Sequence, residues 1–292
     1  MTDDISIQQS SLDSSIKTVS TTPKRVWELD ALRGFCVILM VMDHTLSYAG
    51  GFYGQAWYGY LMLGEGAMVD FCRGAHWYWF SVPRTIIHPI IFMFFILICG
   101  ISCGFSKSNL KRGFLLVFVS AMITFVTSKF DGGEEIIRFG VLHMLSVSII
   151  IWSLIQIFVK HNNKSLLISG LTLGLLVALL YIIFTANPRL NQAVSNSAFW
   201  FTESNYSYEM SPGDIFVIIP WAGIFFIGAG LTHYLYPNRK TLLPTLDGKW
   251  HKPLCFVGRH ALLIYCLHNF IIIFVYELIG YIWITPGKWL FL

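Results

Sequence analysis

Charged side chains are scarce in this sequence. Asp, Glu, Lys and Arg make up 12% of its 292 residues, against about 25% in a soluble domain. That scarcity excludes an ordinary water-soluble globule. The net charge of +4 says little by itself, and nothing points to nucleic acid. Cysteine is sparse too. The six thiols show no metal-type spacing, and Cys99 and Cys103 sit one helical turn apart as two small apolar side chains would. Neither a disulfide framework nor a metal site follows from them. The first 23 residues lack any apolar core, so they read as a disordered cytosolic tail and not as a signal peptide or a span. The remainder, 24–292, reads as one domain, and no internal repeat is evident in it.

Apolar residues are what the chain has in excess. They make up 55% of it, and the mean hydropathy is +0.62. Runs of about 18 or more apolar residues can cross a bilayer core of roughly 30 Å. Seven occur, near 29–49, 85–105, 112–128, 139–159, 165–186, 214–236 and 256–283. In hydrocarbon the backbone must satisfy its own hydrogen bonds, so these runs are helices. The expected fold is an all-α polytopic transmembrane bundle of about seven spans. Pro220 falls inside the sixth run and is expected to kink it.

Orientation follows from the cations. One set of connections carries Lys24, Arg25 and Arg33, then Lys107, Lys111 and Arg112, then Lys160 and Lys164, then Arg239, Lys240, Lys249, Lys252 and Arg259. The alternate set is acidic, with Glu65, Asp70, Glu135, Glu203 and Asp214 among others. The positive-inside rule then puts the N-terminus in the cytosol and the C-terminus outside. Of the outer connections, 66–83 is dense in aromatics and suits a short interfacial helix. The long polar stretch from Asn187 to Gly213 reads equally as a lid, an acceptor surface or an interfacial cap.

The rest of the chain is organised around the stretch from Arg33 to His44. Its polar ends are eleven positions apart, close to three whole turns, so they share a helical face. They lie roughly 16 Å apart along the axis. Ionisable groups within spans are costly and usually face a protein interior or a wet path. On that ground His44 and Asp43 are candidate catalytic groups. His143 and His268 are weaker candidates, because a buried imidazole can also serve to join helices. His88 reads more as an interfacial residue. An imidazole can take a proton from an attacking hydroxyl or amine. Asp43 points about 100° away from His44 on an α-helix, so another acceptor must orient the ring. A cationic site at Arg33, with Lys111, Arg112 and Arg259 at the same end, could hold the phosphates of a long activated donor. The reach of a pantetheine arm is similar to the Arg33–His44 separation.

A resemblance sharpens this reading. Arg25-Val26-Trp27-Glu28-Leu29-Asp30-Ala31-Leu32-Arg33-Gly34, continuing through Met40 to His44, resembles the opening of prokaryotic membrane proteins related to the catalytic domain of heparan-alpha-glucosaminide N-acetyltransferase. Phe139-Gly140-Val141-Leu142-His143, then Ile219-Pro220-Trp221-Ala222-Gly223 with Gly228, then Gly258 to His268 are similar to the same family in the same order. The Arg-to-His spacing is also similar to that of membrane acyltransferases that O-acetylate bacterial surface polysaccharides. The resemblance implies a multi-helix acyltransferase with acetyl-CoA as co-substrate. It implies His44 at the transfer centre and Arg33 near the coenzyme. No metal is implied. The acceptor does not carry over. A cell-surface glycan or a lipid-linked sugar at the cell membrane is the expected partner, and a homo-oligomer stays open. Three other readings compete. One is a transporter or channel with a proton or substrate path through His44, His143 and His268. A second is a haem protein with histidines from facing helices. The third is a structural or sensory role.

Overall fold

The structure is a computed structural model that describes residues 25–54, 66–106, 108–129, 135–159 and 162–284. The expected N-terminal tail lies outside the described residues. Eleven α-helices follow in order among them. They are α1 (Trp27–Gly50), α2 (Ala67–Trp79), α3 (Val82–Gly104), α4 (Asn109–Thr127), α5 (Val141–Phe158) and α6 (Asn163–Ala186). Then come α7 (Pro188–Ser197), α8 (Asn205–Met210), α9 (Ile218–Leu235), α10 (Lys252–Arg259) and α11 (Ala261–Ile279). Seven of these elements are long and apolar enough to cross a membrane: α1, α3, α4, α5, α6, α9 and α11. The chain is a multi-pass membrane protein. No sheet forms among the described residues. Two isolated bridges, Phe139 with Ile215 and Thr202 with Ile219, tie the loops at one end.

Helices α5 and α9 form the middle of the bundle. About half of each, 56% and 50%, is buried inside the protein, against 11% of α4, which leaves α4 at the lipid-facing rim. Trp152 of α5 and Phe225 of α9 are fully buried in the main core. Between spans the hydrophobic effect gives no drive, so association rests on close backbone approach and polar contacts. Gly170 of α6 faces Gly230 of α9 so closely that a Cβ on Gly170 would lie 2.6 Å from the Gly230 Cα. Gly34 of α1 and Gly258 of α10 approach as closely, each with a Cβ direction blocked by the facing helix's backbone. That contact sets the depth of Arg33 and Arg259, which neighbour these two glycines.

Two expectations change in detail. The kink does fall beside Pro220, but at the very start of α9 and not in the middle of the span. Residues before it are extended, with Ile219 at φ −103°, ψ 117°, and Pro220 stands in the first turn of α9. Its missing N–H costs nothing there. The last apolar run is also two helices. His260 (φ −100°, ψ 15°) separates α10 from the span that begins at Ala261. The 66–83 stretch does contain a helix, α2. The Asn187–Gly213 stretch is a folded cap built on α7 and α8. Within it Asn191 Nδ2 donates to the Glu203 carbonyl at 2.8 Å, and Thr202 Oγ1 donates to Asn191 Oδ1 at 2.7 Å. The end of the bundle bearing this cap is called the capped end below, and the end bearing Arg33, Arg239 and Arg259 the basic end.

Candidate functional site

The groups of the site sit on α1, α3 and α11 and on the extended segment that leads into α9. Asp43 and His44 are adjacent on α1 but face different neighbours, as the 100° turn between them requires. Asp43 meets α3. Arg84 Nε donates to its Oδ1 at 2.8 Å and Arg84 Nη2 to its Oδ2 at 3.0 Å, a bidentate pair. The Tyr78 hydroxyl donates to Oδ1 at 2.9 Å, and His88 Nε2 lies 3.3 Å from Oδ2. The Arg84 guanidinium also stacks over Trp79, 3.5 Å from the ring centroid. Asp43 is therefore an anchor between α1, α2 and α3.

His44 meets α11. Its Nδ1 is 2.6 Å from His268 Nε2, and the two rings lie nearly parallel, 14° apart in plane. The other His268 nitrogen, Nδ1, is 2.8 Å from the Tyr265 carbonyl and 3.2 Å from the Ile264 carbonyl. Carbonyls only accept, so His268 Nδ1 carries a proton. In the neutral ring His268 Nε2 then holds the lone pair and accepts from His44 Nδ1–H. His44 Nε2 is left as the basic nitrogen. The backbone of α11 fixes the tautomers of both rings by this chain of exclusions.

Two cavities meet at His44. The first, about 240 Å³, lies between α1 and α3 and is lined by Cys36, Met40, Ile87, Phe92 and Phe95 as well as His44. From Cys36 to His44 it follows α1 for roughly 12 Å. The second, about 260 Å³, reaches toward the capped end and is lined by Ser47, Glu135, Asp214, His268 and Asn269. Met40, His44, Phe92, Val141 and Tyr265 are common to both linings, so they form the wall between the two cavities.

Asp214 was legible in the sequence only as the polar start of a span. The structure places it in the second cavity, where Val141 N–H and the Tyr265 hydroxyl both donate to its Oδ2 at 3.4 Å. Burial pushes its carboxyl up from 3.8 to about 6, with Val141, Tyr265 and Ile215 pulling the other way. The folded pKa is the raised one, so this group's contribution to stability is complete below pH 3.8 and is lost as pH rises through about 6. Asp214→Asn mimics the protonated form and keeps an acceptor for both donors. Its melting temperature at pH 7.5 is expected to be at or above wild type, and the gap between the two should close as pH falls below 5. Melting curves of both proteins in one detergent across that range would check this.

The structure separates the remaining candidates. His143 lines neither cavity. Its Nδ1 accepts from Gly140 N–H at 3.2 Å, capping α5, and its Nε2 lies 3.1 Å from Thr124 Oγ1. Thr124 Oγ1 in turn donates to the Ile137 carbonyl at 2.6 Å. With Nδ1 accepting, Nε2 carries the proton, and both nitrogens are used in joining α4 to α5. His143→Ala is expected to cost about 1 kcal/mol, as loss of a cap does, seen as a lowered melting temperature. At the basic end Arg33 Nη1 pairs with Asp30 at 3.1 Å and reaches the Gly258 carbonyl at 3.4 Å, while Nη2 donates to Ser102. Arg259 and Arg25 approach the same carboxylate at 3.4 and 3.9 Å. Three guanidiniums around one carboxylate leave a surplus of positive charge. Lys111 and Arg112 stand exposed in the first turn of α4. Among the described residues no group of three or more His, Cys, Asp or Glu is placed to hold a metal ion.

The family model described as "Heparan-alpha-glucosaminide N-acetyltransferase, catalytic" matches residues 25–270. That range runs from the cation preceding α1 to the residue after Asn269 and so includes both histidines of the pair. No curated protein and no solved structure matches the chain.

Proposed function

We propose, since the chain belongs to the heparan-alpha-glucosaminide N-acetyltransferase catalytic family, that this membrane acetyltransferase moves an acetyl group from cytosolic acetyl-CoA to a sugar amine or hydroxyl outside the membrane. One observation carries the reading. His44 stands in the wall between two cavities, with Nε2 left basic by its partner. The coenzyme's phosphates would lie at the basic end, where Arg33 and Arg259 exceed the charge of Asp30, with Lys111 and Arg112 beside them. Its pantetheine arm would follow α1 through the first cavity, whose apolar walls suit it. The acceptor would enter the second cavity from the capped end.

Chemistry follows from the geometry. The acceptor's nitrogen or oxygen attacks the thioester carbonyl carbon as His44 Nε2 takes its proton. The imidazolium so formed still donates from Nδ1 to His268, which stabilises the charge. The tetrahedral intermediate then collapses, the carbon–sulfur bond breaks, and the leaving thiolate takes the proton from His44. Acetyl-CoA and the acceptor become acetylated acceptor and free CoA. Donor and acceptor occupy separate cavities, which favours direct transfer within a ternary complex. A lipid-linked sugar or a cell-surface glycan fits as acceptor, and the cell membrane as the location.

The transporter reading receives less support. A proton path needs continuation, and the His44–His268 pair ends on the backbone carbonyls of Ile264 and Tyr265. The test is transfer of label from acetyl-CoA to a membrane and cell-wall extract by purified protein, with Arg33→Ala alongside. Label entering a glycan or lipid fraction, with a raised Michaelis constant for acetyl-CoA in Arg33→Ala, supports the assignment. No acetyl-CoA binding and no transfer to any fraction sinks it.

A further inference from the structure

The second cavity carries no cation among the described residues, since its lining holds neither Lys nor Arg, and Glu135, Asp214 and His44 Nε2 can each accept a hydrogen bond from a ligand. Asn269 adds to this, because its Oδ1 is buried and meets no donor among the described residues. An acceptor-rich chamber of this kind is matched by a ligand that brings donors, and an ammonium group brings three.

An ammonium poses a counting problem for the site. To become an amide N–H it must lose two protons, and an imidazole holds only one. A hydroxyl must lose one. We propose that Asp214 is a second catalytic group, the one that takes the first proton from an ammonium acceptor before His44 takes the other. This rests on the acyl-transfer reading above. The geometry joins the two bases through a single residue. The Tyr265 hydroxyl donates to Asp214 Oδ2, and the Tyr265 carbonyl sets the tautomer of His268 and hence of His44. Asp214 also lies on the capped side of the shared wall, where the acceptor would arrive first.

The steps balance. The ammonium gives one proton to the Asp214 carboxylate and becomes a neutral amine. That amine attacks the thioester while His44 takes a second proton, which leaves with the CoA thiolate. Asp214 then releases its proton to water at the capped end. The other titratable groups facing this chamber are His44 and Tyr48 of α1, Glu135, and Tyr265, Cys266 and His268 of α11. Of these, Glu135 is the one other carboxylate among the described residues, so it serves as the control.

The experiment compares wild type, Asp214→Asn and Glu135→Gln. It uses a methyl glycoside of an amino sugar and a hydroxyl analogue of the same size, from pH 6 to 9.5, with acetyl-CoA binding measured separately. An aliphatic amine is mostly protonated near neutrality. Asp214→Asn is expected to bind acetyl-CoA as wild type does and to transfer to the amine at least tenfold more slowly at pH 6.5. It should recover toward the wild-type rate by pH 9.5, where free amine is supplied by solution. Transfer to the hydroxyl analogue should change less than threefold. A loss equal at every pH, a loss equal for both acceptors, or a larger effect from Glu135→Gln overturns the assignment. If wild type binds acetyl-CoA but acetylates no amine at any pH, the role of Asp214 falls and the donor reading stands. If it binds no acetyl-CoA, both fall.

Discussion

Replacing His44 with Ala is expected to lower acetyl transfer by about 10²–10⁴-fold while leaving acetyl-CoA bound, because a positioned general base typically contributes that much. The size of the effect follows from where the ring stands. It is the one basic nitrogen in the wall shared by both cavities, and its lone pair is set by an exclusion chain that ends on the α11 backbone. His268→Ala should cost less, because it removes the partner of Nδ1 and frees the tautomer but leaves an imidazole in place. The expected order is therefore His44→Ala well below His268→Ala, with both below wild type. His268→Gln restores an acceptor for Nδ1–H and should recover part of the rate. Single-turnover rates with labelled acetyl-CoA and a saturating amine would read all three. Wild-type rates in His44→Ala would remove the base from the mechanism and leave the pair as a helix contact only.

The spans were legible because hydropathy reports directly on the lipid each helix faces. So was the shared face of Arg33 and His44. Eleven residues make nearly three turns, and both side chains do reach the C-terminal helices, Arg33 to the Gly258 carbonyl of α10 and His44 to His268 of α11. What no periodicity contains is which spans adjoin. His44 and His268 are 224 residues apart. Four spans offered a histidine between mid-membrane and the outer side, and hydropathy does not say which of them meet. The choice between them is made by glycine contacts such as Gly34 with Gly258, which seat α1 against the α10–α11 segment. The same gap hid Asp214. In the sequence it is a polar residue at a span boundary, and only the extended stretch before Pro220 turns it into the chamber. His143 shows the reverse case. Its place in a family-like motif suggested chemistry, while its ring is spent on Gly140 and Thr124.

Arg84→Ala is expected to be the most destabilising change at the site, by about 3–5 kcal/mol, the cost of leaving one half of a buried ion pair behind. The two side chains are 13% and 7% exposed, and the bidentate geometry satisfies both carboxylate oxygens. Removing Arg84 leaves Asp43 with the Tyr78 hydroxyl and His88, which together do not replace a guanidinium fork. Asp43→Ala should cost a similar amount for the mirror reason. The double replacement removes both charges, so it should cost less than the sum of the singles, with a coupling of about 0.5–3 kcal/mol. This cycle separates the two roles open to Asp43. As an anchor of α1 it acts on His44 through the backbone. The double variant, with no charge to strand, should then lose less than the two single losses summed and keep measurable transfer per folded molecule. As a proton acceptor in its own right it would be lost in every variant lacking the carboxylate, however stable. Melting temperatures of the four proteins, with transfer rates normalised to folded protein, distinguish these outcomes. Additive stability losses would show that the pair is not coupled and that α1 is seated by its glycine contacts alone.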